Sequence, residues 1–567
     1  MKDELETIVT GACKKHFGLE LDPQLVRPEP RFGDFATNIA LRLAKQLGKP
    51  PAEIADVLSA AIANNEGVAK AEVAGQGFIN ITLQDDRLAA EVMAAVTNER
   101  YGANDALAGQ TIVIEHTDPN PFKELHIGHV YSNSVGVALG KLLQNSAADV
   151  RQVSYHGDVG MHIAMAVWAI DKARHSQPDL LAKADALDLP KLSAWLGRYY
   201  ATGAEAYRQD PADKVEIETV NKQLYEQSDS TLNELYEWGR AKSFAYFERI
   251  YRELSFTDEH QQLPVSFEKQ YLESQAAPLG AELVRKYTGP VFSQSDGAIV
   301  FEGEKEGLHT RVFLNSQGLP TYEAKELGLA QLKKQDYPAA SRFLVLTANE
   351  ISEYFRVVKA ALGRLDAELA GKLVHITHGV VRLPGGKMSS RTGEVVSYTT
   401  LADNLQARLM LTYNTLQKRH DIVLGALKYA FLKHRLGGDI IFELDESVSV
   451  EGNSGPYVQY AHARARSILA KAPAQPATVK DLTAEERRLA AKISEFPEVL
   501  LRAAEELAPH QVCGYLYELA QAFNRFYEGN QVIGDHRQAS RLALVVAYAN
   551  VLKRGLNVLN IPAPYAM

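Results

Sequence analysis

TIVIEHTDPNPFKELHIGHVYSNSVGVALGKLL, residues 111–143, carries three signals in succession. TIVIEH (111–116) is a short, almost unbroken apolar run rich in β-branched residues, the mark of a strand buried on both faces. Pro119 and Pro121 then impose a loop, and Val130, Val135, Ala138, Leu139 and Leu142 follow at helical spacing. The stretch reads as strand, loop, helix. Further apolar runs at Val150–Tyr155, Arg342–Leu346 and Leu373–Val381 alternate with helical patterns. Together they predict an α/β fold whose parallel sheet is covered by helices on both faces. Sites in such sheets lie beyond the carboxyl ends of the strands, so chemistry is expected in the loop after Glu115.

Outward from this unit the pattern changes. Residues 1–105 combine an amphipathic helical start (Leu5, Ile8, Val9, Cys13, Phe17) with the strand-like GFINITL at 77–83, a small α/β module. Charged helical sequence at about 171–284 interrupts the sheet pattern and reads as an insertion. Beyond about 400 the strand signal fades and helical periods take over, with loop punctuation at KAPAQPATVK (471–480).

Composition excludes several classes. With 567 residues, 46% of them apolar, the chain has material for about three or four domains. No run approaches the roughly 18 apolar residues of a membrane span, and MKDELETIV is not a basic-then-apolar signal, so no membrane is expected and the cytoplasm is. Cys13 and Cys513 are the only cysteines, which provides for neither a disulfide framework nor a cysteine-built structural zinc site. A net charge of −9 argues against indiscriminate nucleic-acid binding but leaves room for a local basic surface.

The chemistry concentrates in PNPFKELHIGH, Pro119 to His129, where His126 and His129 share the start of a helix. A helix N-terminus gathers unpaired N–H groups and partial positive charge, and Gly128 removes a Cβ that would hold a nucleotide off the backbone, an arrangement suited to a triphosphate. Two such histidines alone would more often be caps or metal ligands. A second motif, GGKMSSRTGEVV at 385–396, puts Lys387, two hydroxyls and Arg391 on a glycine-punctuated loop after LVHITHGVV, and a loop of that kind closes over phosphates. The two motifs resemble the HIGH and KMSKS signatures of class I aminoacyl-tRNA synthetases. That resemblance implies a Rossmann-type catalytic domain and ATP as substrate, with Mg2+ and no protein-bound metal, and attack of an amino-acid carboxylate on the α-phosphate. Donors preorganised for the phosphoryl charge lower such a barrier by ~3–4 kcal/mol each in good cases. The resemblance assigns catalysis to His126, His129, Lys387 and Lys123. It assigns ATP binding to His126, Gly128, His129, Lys387, Met388, Ser389, Ser390 and Arg391. Ser390 stands where many class I enzymes have a lysine, and Lys123 is the expected replacement.

The upstream lysine paired with a weakened loop motif resembles the arginyl subgroup, and so do segments along nearly the whole chain: FGDFATNIALRLAK (32–45), SDGAIVF (295–301), LPTYEAKELGLA (319–330) and EGNSGPYVQYAHARARSIL (451–469). YHGDVGMH (155–162) carries Val159 and His162 where the family has Trp and Gln. The resemblance implies an appended domain at 1–105, a catalytic domain at 106–400 with the insertion at 171–284, a helical connector at 401–453 and an all-helical anticodon-binding domain at 454–567. It implies tRNA and L-arginine as partners, a monomer, and arginine activation that needs tRNA.

A guanidinium offers five donors in a plane, so a selective pocket needs carboxylates to accept them. Glu115, Tyr322 and Glu326, the last where the family has Asp, are expected there, with Asn120 on the amino or carboxylate end. Tyr457, Arg464 and Arg466 are expected to meet tRNA, with core packing as the tyrosine's alternative. Three other readings stay open: a class I synthetase for another amino acid, a noncatalytic tRNA-binding relative, and a small-molecule nucleotidyltransferase with an H-x-G-H loop, which would not need the helical C-terminus.

Overall fold

The computed structural model describes residues 1–256, 267–384, 396–410, 415–472 and 479–567. At its centre is a five-stranded, wholly parallel sheet built from β1 (Thr111–Glu115), β2 (Asp149–His156), β3 (Lys269–Leu272), β4 (Ala340–Ala348) and β5 (Leu373–His378), in the order β3-β2-β1-β4-β5. Glu115 at the end of β1 stands in register with Val153 and Val345. Alternate residues of β1 feed different cores, Ile112 and Ile114 on one face and Val113 on the other. This explains the continuous apolar run: a strand covered on both sides has no polar face. The strand order reverses between β1 and β4, which opens a crevice at their carboxyl ends.

The expected insertion at 171–284 is too long. Helices from Met161–Ser176 to Ser230–Glu253 do leave the sheet, but β3 returns to it and pairs with β2, and a helix at Glu273–Lys286 follows. KQYL was hidden because four residues with three polar or amphipathic side chains show neither an apolar run nor an alternation. A second sheet, antiparallel and three-stranded at Ser293–Ser295, Ala298–Phe301 and Arg311–Leu314, lies beyond the insertion.

The N-terminal module pairs Phe35–Thr37, Phe78–Leu83 and Val68–Ala74 into an antiparallel sheet backed by helices. Its last helix, Asp85–Thr97, packs on two C-terminal helices, Ala484–Ser494 and Gln538–Val558. Arg487 ties the ends of the chain together, reaching Asp34 at 3.1 Å and Asp85 at 2.9 Å. Among the described residues no helix is long and apolar enough to cross a membrane, and both cysteines are buried and free.

Candidate functional site

The crevice between β1 and β4 holds a cavity of about 740 Å³. Its floor is α1 (Ile127–Asn145), whose first turn is built from the two histidines. His126 caps the helix: its Nδ1 accepts the Gly128 N–H at 3.1 Å, and the His126 N–H donates to Nδ1 of His129 at 3.2 Å. The rings stack with centroids 3.7 Å apart. With both Nδ1 atoms accepting, each ring carries its hydrogen on Nε2. Burial, then the Lys123 charge, pulls His126 down to about 4; burial and neighbouring His126 hold His129 well below its usual value. Both are neutral at pH 7. They offer one N–H each, in place of the positive charge that their residue type alone suggests. A Cβ on Gly128 would sit 3.0 Å from the His126 ring, so a larger residue would push the capping ring aside by a few tenths of an ångström.

The loop leading into α1 is strained, with Thr117 at φ 82° and Asp118 at φ 42°, conformations that cost about 1–3 kcal/mol each and persist only when the surroundings hold them. Here the Ser132 hydroxyl accepts the Thr117 N–H at 3.0 Å and the Asp118 carboxyl accepts the Tyr155 N–H at 2.7 Å. His156 donates to the Pro119 carbonyl at 2.7 Å. The Asn120 side-chain oxygen accepts the Gly157 N–H at 3.0 Å, in a space where a Cβ on residue 157 would come within 2.7 Å of that oxygen. Because its oxygen is engaged by a backbone donor, Asn120 presents amide hydrogens to the cavity.

Opposite α1 the wall is acidic. α2 (Tyr322–Asp336) brings Tyr322 and Glu326 to the cavity, with Tyr322 61% exposed. Glu115 lines it too, but its carboxylate receives the buried Lys333 ammonium at 2.7 Å, so it is an ion-pair partner before any substrate arrives. Among the described residues Glu326 accepts a single hydroxyl, from Tyr354 at 3.1 Å. Burial, then the Glu115 charge, raises Glu326 to about 8 and raises Asp118 well above the carboxylate range. Among the described residues neither forms an ion pair. Asp118 and Glu326 thus face the cavity, among the described residues, without an ion-pair partner.

Lys123 is absent from the lining; its ammonium lies 4.3 Å from the centroid of Tyr200. Residues 387–391 of the second motif lie outside the described residues. His162 donates to the Gly157 carbonyl at 2.7 Å, burial pulling it down to about 4, and Val159 is buried. His162 therefore supports the 157–160 turn through that bond, and Val159 is one of its buried residues. Asp118, Lys333 and Tyr354 were missed in the sequence. Lys333 lies seven positions after Glu326, hence on the same helical face, a signal that was there to read.

The model described as "tRNA synthetases class I (R), catalytic domain" matches residues 91–444, which include this crevice and every strand around it. The chain belongs to the arginyl-tRNA synthetase family. The "Arginyl tRNA synthetase N terminal domain" matches residues 3–83 and the "DALR anticodon binding domain" residues 458–567. Two arginine–tRNA ligases are similar throughout: that of Synechococcus sp. at 30% identity over 97% of each chain, and that of Bacteroides fragilis at 28% over 100% of each. The Thermus thermophilus arginyl-tRNA synthetase superposes with a TM-score of 0.81 at 26% identity, covering 100% of both chains.

Arginyl-tRNA synthetases handle RNA as well as small substrates, and the C-terminal helices hold a second large cavity of about 790 Å³. Arg464 lines it, stacked 4.7 Å over Tyr527, beside Tyr460, which is 47% exposed. Tyr457 does not; its hydroxyl accepts from Asn524 at 3.0 Å and its ring packs on Tyr517. Arg466 points to the other side of its helix, over Tyr565.

Proposed function

We propose that the crevice makes arginyl-adenylate and then passes arginine to the 3′ end of tRNA, so that the chain works as an arginine–tRNA ligase. The observation that carries this reading is the polarity of one cavity: neutral N–H donors at one end and, among the described residues, the carboxyl groups of Asp118 and Glu326 without ion pairs at the other. ATP lies with its phosphates on the α1 N-terminus, where the Nε2 hydrogens of His126 and His129 face the charge that builds on the phosphoryl oxygens. The guanidinium goes to Glu326 and Asp118, with Tyr322 as the wall and Glu115 holding the acidic face through Lys333. Asn120 directs its amide hydrogens to the substrate carboxylate. One oxygen of that carboxylate attacks the α-phosphorus, the bond to the bridging oxygen breaks, and pyrophosphate leaves. A tRNA 3′-terminal hydroxyl then attacks the carbonyl carbon and AMP departs.

Mg2+ would travel on the triphosphate and neutralise its oxygens; among the described residues no group of three acidic, histidine or cysteine side chains is placed to hold an ion. Lys387, Met388, Ser389, Ser390 and Arg391 close over the phosphates in this reading, which rests on their motif. Lys123 joins them by leaving Tyr200. Tyr460 and Tyr527 offer rings to anticodon bases and Arg464 a phosphate contact, with Tyr457 as their support. The enzyme is a cytoplasmic monomer, a state that sedimentation of the full chain measures.

Charging of total tRNA with each of the twenty amino acids, beside ATP–pyrophosphate exchange with arginine, tests the reading. Arginine alone should be charged, and exchange should need tRNA. Charging of a different amino acid would overturn the pocket assignment, and no charging would favour a noncatalytic tRNA-binding relative.

A further inference from the structure

Beyond the crevice and the C-terminal cavity, a third cavity of about 610 Å³ lies where three parts of the chain meet. One wall is the segment after helix Asp85–Thr97, which supplies Glu99 and Arg100. The second is the end of α1. The third is the C-terminal domain, with Arg466 on helix Gly455–Ala470 and Lys553 and Arg554 on helix Gln538–Val558. Four cationic side chains therefore face one space beside a single carboxylate, in a chain whose net charge is −9.

Such a concentration is unfavourable in an empty cavity, because like charges repel and the low-dielectric walls strengthen the repulsion. Folded proteins usually relieve it with carboxylates. Among the described residues, Arg100, Arg466 and Arg554 form no ion pair. Arg554 is the informative one: its Nη1 is buried and has no hydrogen-bond partner among the described residues. A buried guanidinium nitrogen without an acceptor is an exception that calls for a ligand or an ion. Burial also pulls Arg554 below its usual value, with Glu99 working against that pull, so its charge is desolvated and underpaired.

We propose that this cavity binds phosphate groups, with Arg554 as the deep anchor and Arg100, Arg466 and Lys553 around it. Guanidinium groups match phosphate oxygens with paired donors, and three of the four cations are arginines. The cavity also has a defined neighbour. The Tyr565 ring lies beneath Arg466 at 4.4 Å and Lys553 at 5.7 Å, and it lines the C-terminal cavity as well. One aromatic ring thus separates a space with rings for bases from a space with cations for phosphates. A phosphodiester of the bound RNA strand and a free phosphate-bearing molecule share the chemistry that fits. The strand source rests on the tRNA reading above, and the free source does not.

The test uses the full chain, the double variant R100Q/K553Q, whose changes lie at the rim, and R554Q at the anchor. Calorimetry with inorganic phosphate forms one arm; tRNA binding as a function of salt forms the other. The site predicts at least a tenfold weakening by both variants in one arm. In the RNA arm, the slope of log affinity against log salt should also shrink by about one per lost contact. Loss of phosphate binding with tRNA affinity unchanged assigns the site to a free anion; weakened tRNA binding with a smaller slope assigns it to the strand. Wild-type affinities retained by both variants in both arms would overturn the proposal. If the unmodified chain binds no tRNA, the tRNA reading fails by itself and the phosphate arm still decides the cavity.

Discussion

Two glutamates in different parts of the molecule, Glu486 buried and Glu326 half-buried, have opposite fates. Glu486, in the C-terminal helices, receives Arg537 and Arg541, each at 2.9 Å, and the Thr483 N–H at 3.0 Å. Burial pushes its carboxyl up, but these donors outweigh burial and bring it down to about 2. Glu326, in the crevice, has one hydroxyl partner and is pushed up to about 8. The same side chain in the same protein is completed in one place and left incomplete in the other. A finished network holds a fold; an unfinished one waits for a charge from outside. Arginine carries the charge that Glu326 and Asp118 lack.

The largest effect that can break this contrast is on stability. Glu486→Gln removes the buried charge that Arg537 and Arg541 share and leaves them the Lys480, Asp481 and Gln531 carbonyls and Asp535; removing one partner of a buried ion network costs about 3–5 kcal/mol. Scanning calorimetry should show a clear drop in the unfolding midpoint, whereas Glu326→Gln should leave it in place or raise it. Equal losses would erase the distinction. The pH dependences also run opposite ways. The Glu486 contribution is present above the unfolded carboxyl value near 4.5 and is lost as pH falls toward 2. That of Glu326 is present below 4.5 and is lost as pH rises through 8.

Next in size is substrate affinity. Glu326→Gln removes a charge-assisted acceptor from the guanidinium, worth about 1.5–3 kcal/mol, so the KM for arginine should rise roughly 10- to 100-fold with little change in the KM for ATP. Asp118→Asn should act in the same direction. A changed ATP KM with arginine untouched would move the carboxyl groups out of the substrate pocket.

A third, smaller effect follows from the proton on Glu326. In the free protein at pH 7 this carboxyl is protonated, so entering arginine must expel a proton. Arginine affinity should then weaken as pH falls below 8, by about tenfold per unit for one proton. Calorimetry of Asp118→Asn in buffers of different ionisation enthalpy would count the Glu326 proton apart from that of Asp118, and a count of zero there would show that Glu326 does not meet the guanidinium.

How much of this was readable in the sequence depends on distance along the chain. The strand, loop and helix at 111–143 are local, and one hydrophobic pattern reveals them. Tyr322 and Glu326, four apart on one helix, could also be placed together. The partners that make Glu326 and Glu115 differ come from elsewhere: Lys333 lies 218 positions from Glu115, and Tyr354 lies on another helix. Charge type was therefore legible, while charge state was not, because it depends on which long-range partner arrives. The neutral histidines of α1 show the same gap. β3 was missed for a different reason: a short strand at the sheet edge, with mixed side chains, carries no periodicity to detect.

The smallest effect expected lies at His162, where the contrast between finished and unfinished networks can be sharpened. Its half-buried ring is neutral and makes one bond, Nε2–H to the Gly157 carbonyl at 2.7 Å. That carbonyl belongs to the residue whose N–H orients Asn120. A glutamine amide can supply the same N–H, so His162→Gln should change kcat/KM for arginine by less than about threefold, within the ±0.5 kcal/mol of a neutral replacement. His162→Ala leaves the carbonyl buried and unpaired, at a cost of about 1–3 kcal/mol, and loosens the Asn120 amide. Its loss should therefore appear in arginine rather than ATP parameters. If Gln and Ala were equally harmful, the ring itself would be touching substrate, and position 162 would belong with Glu326 among the groups that wait for a ligand.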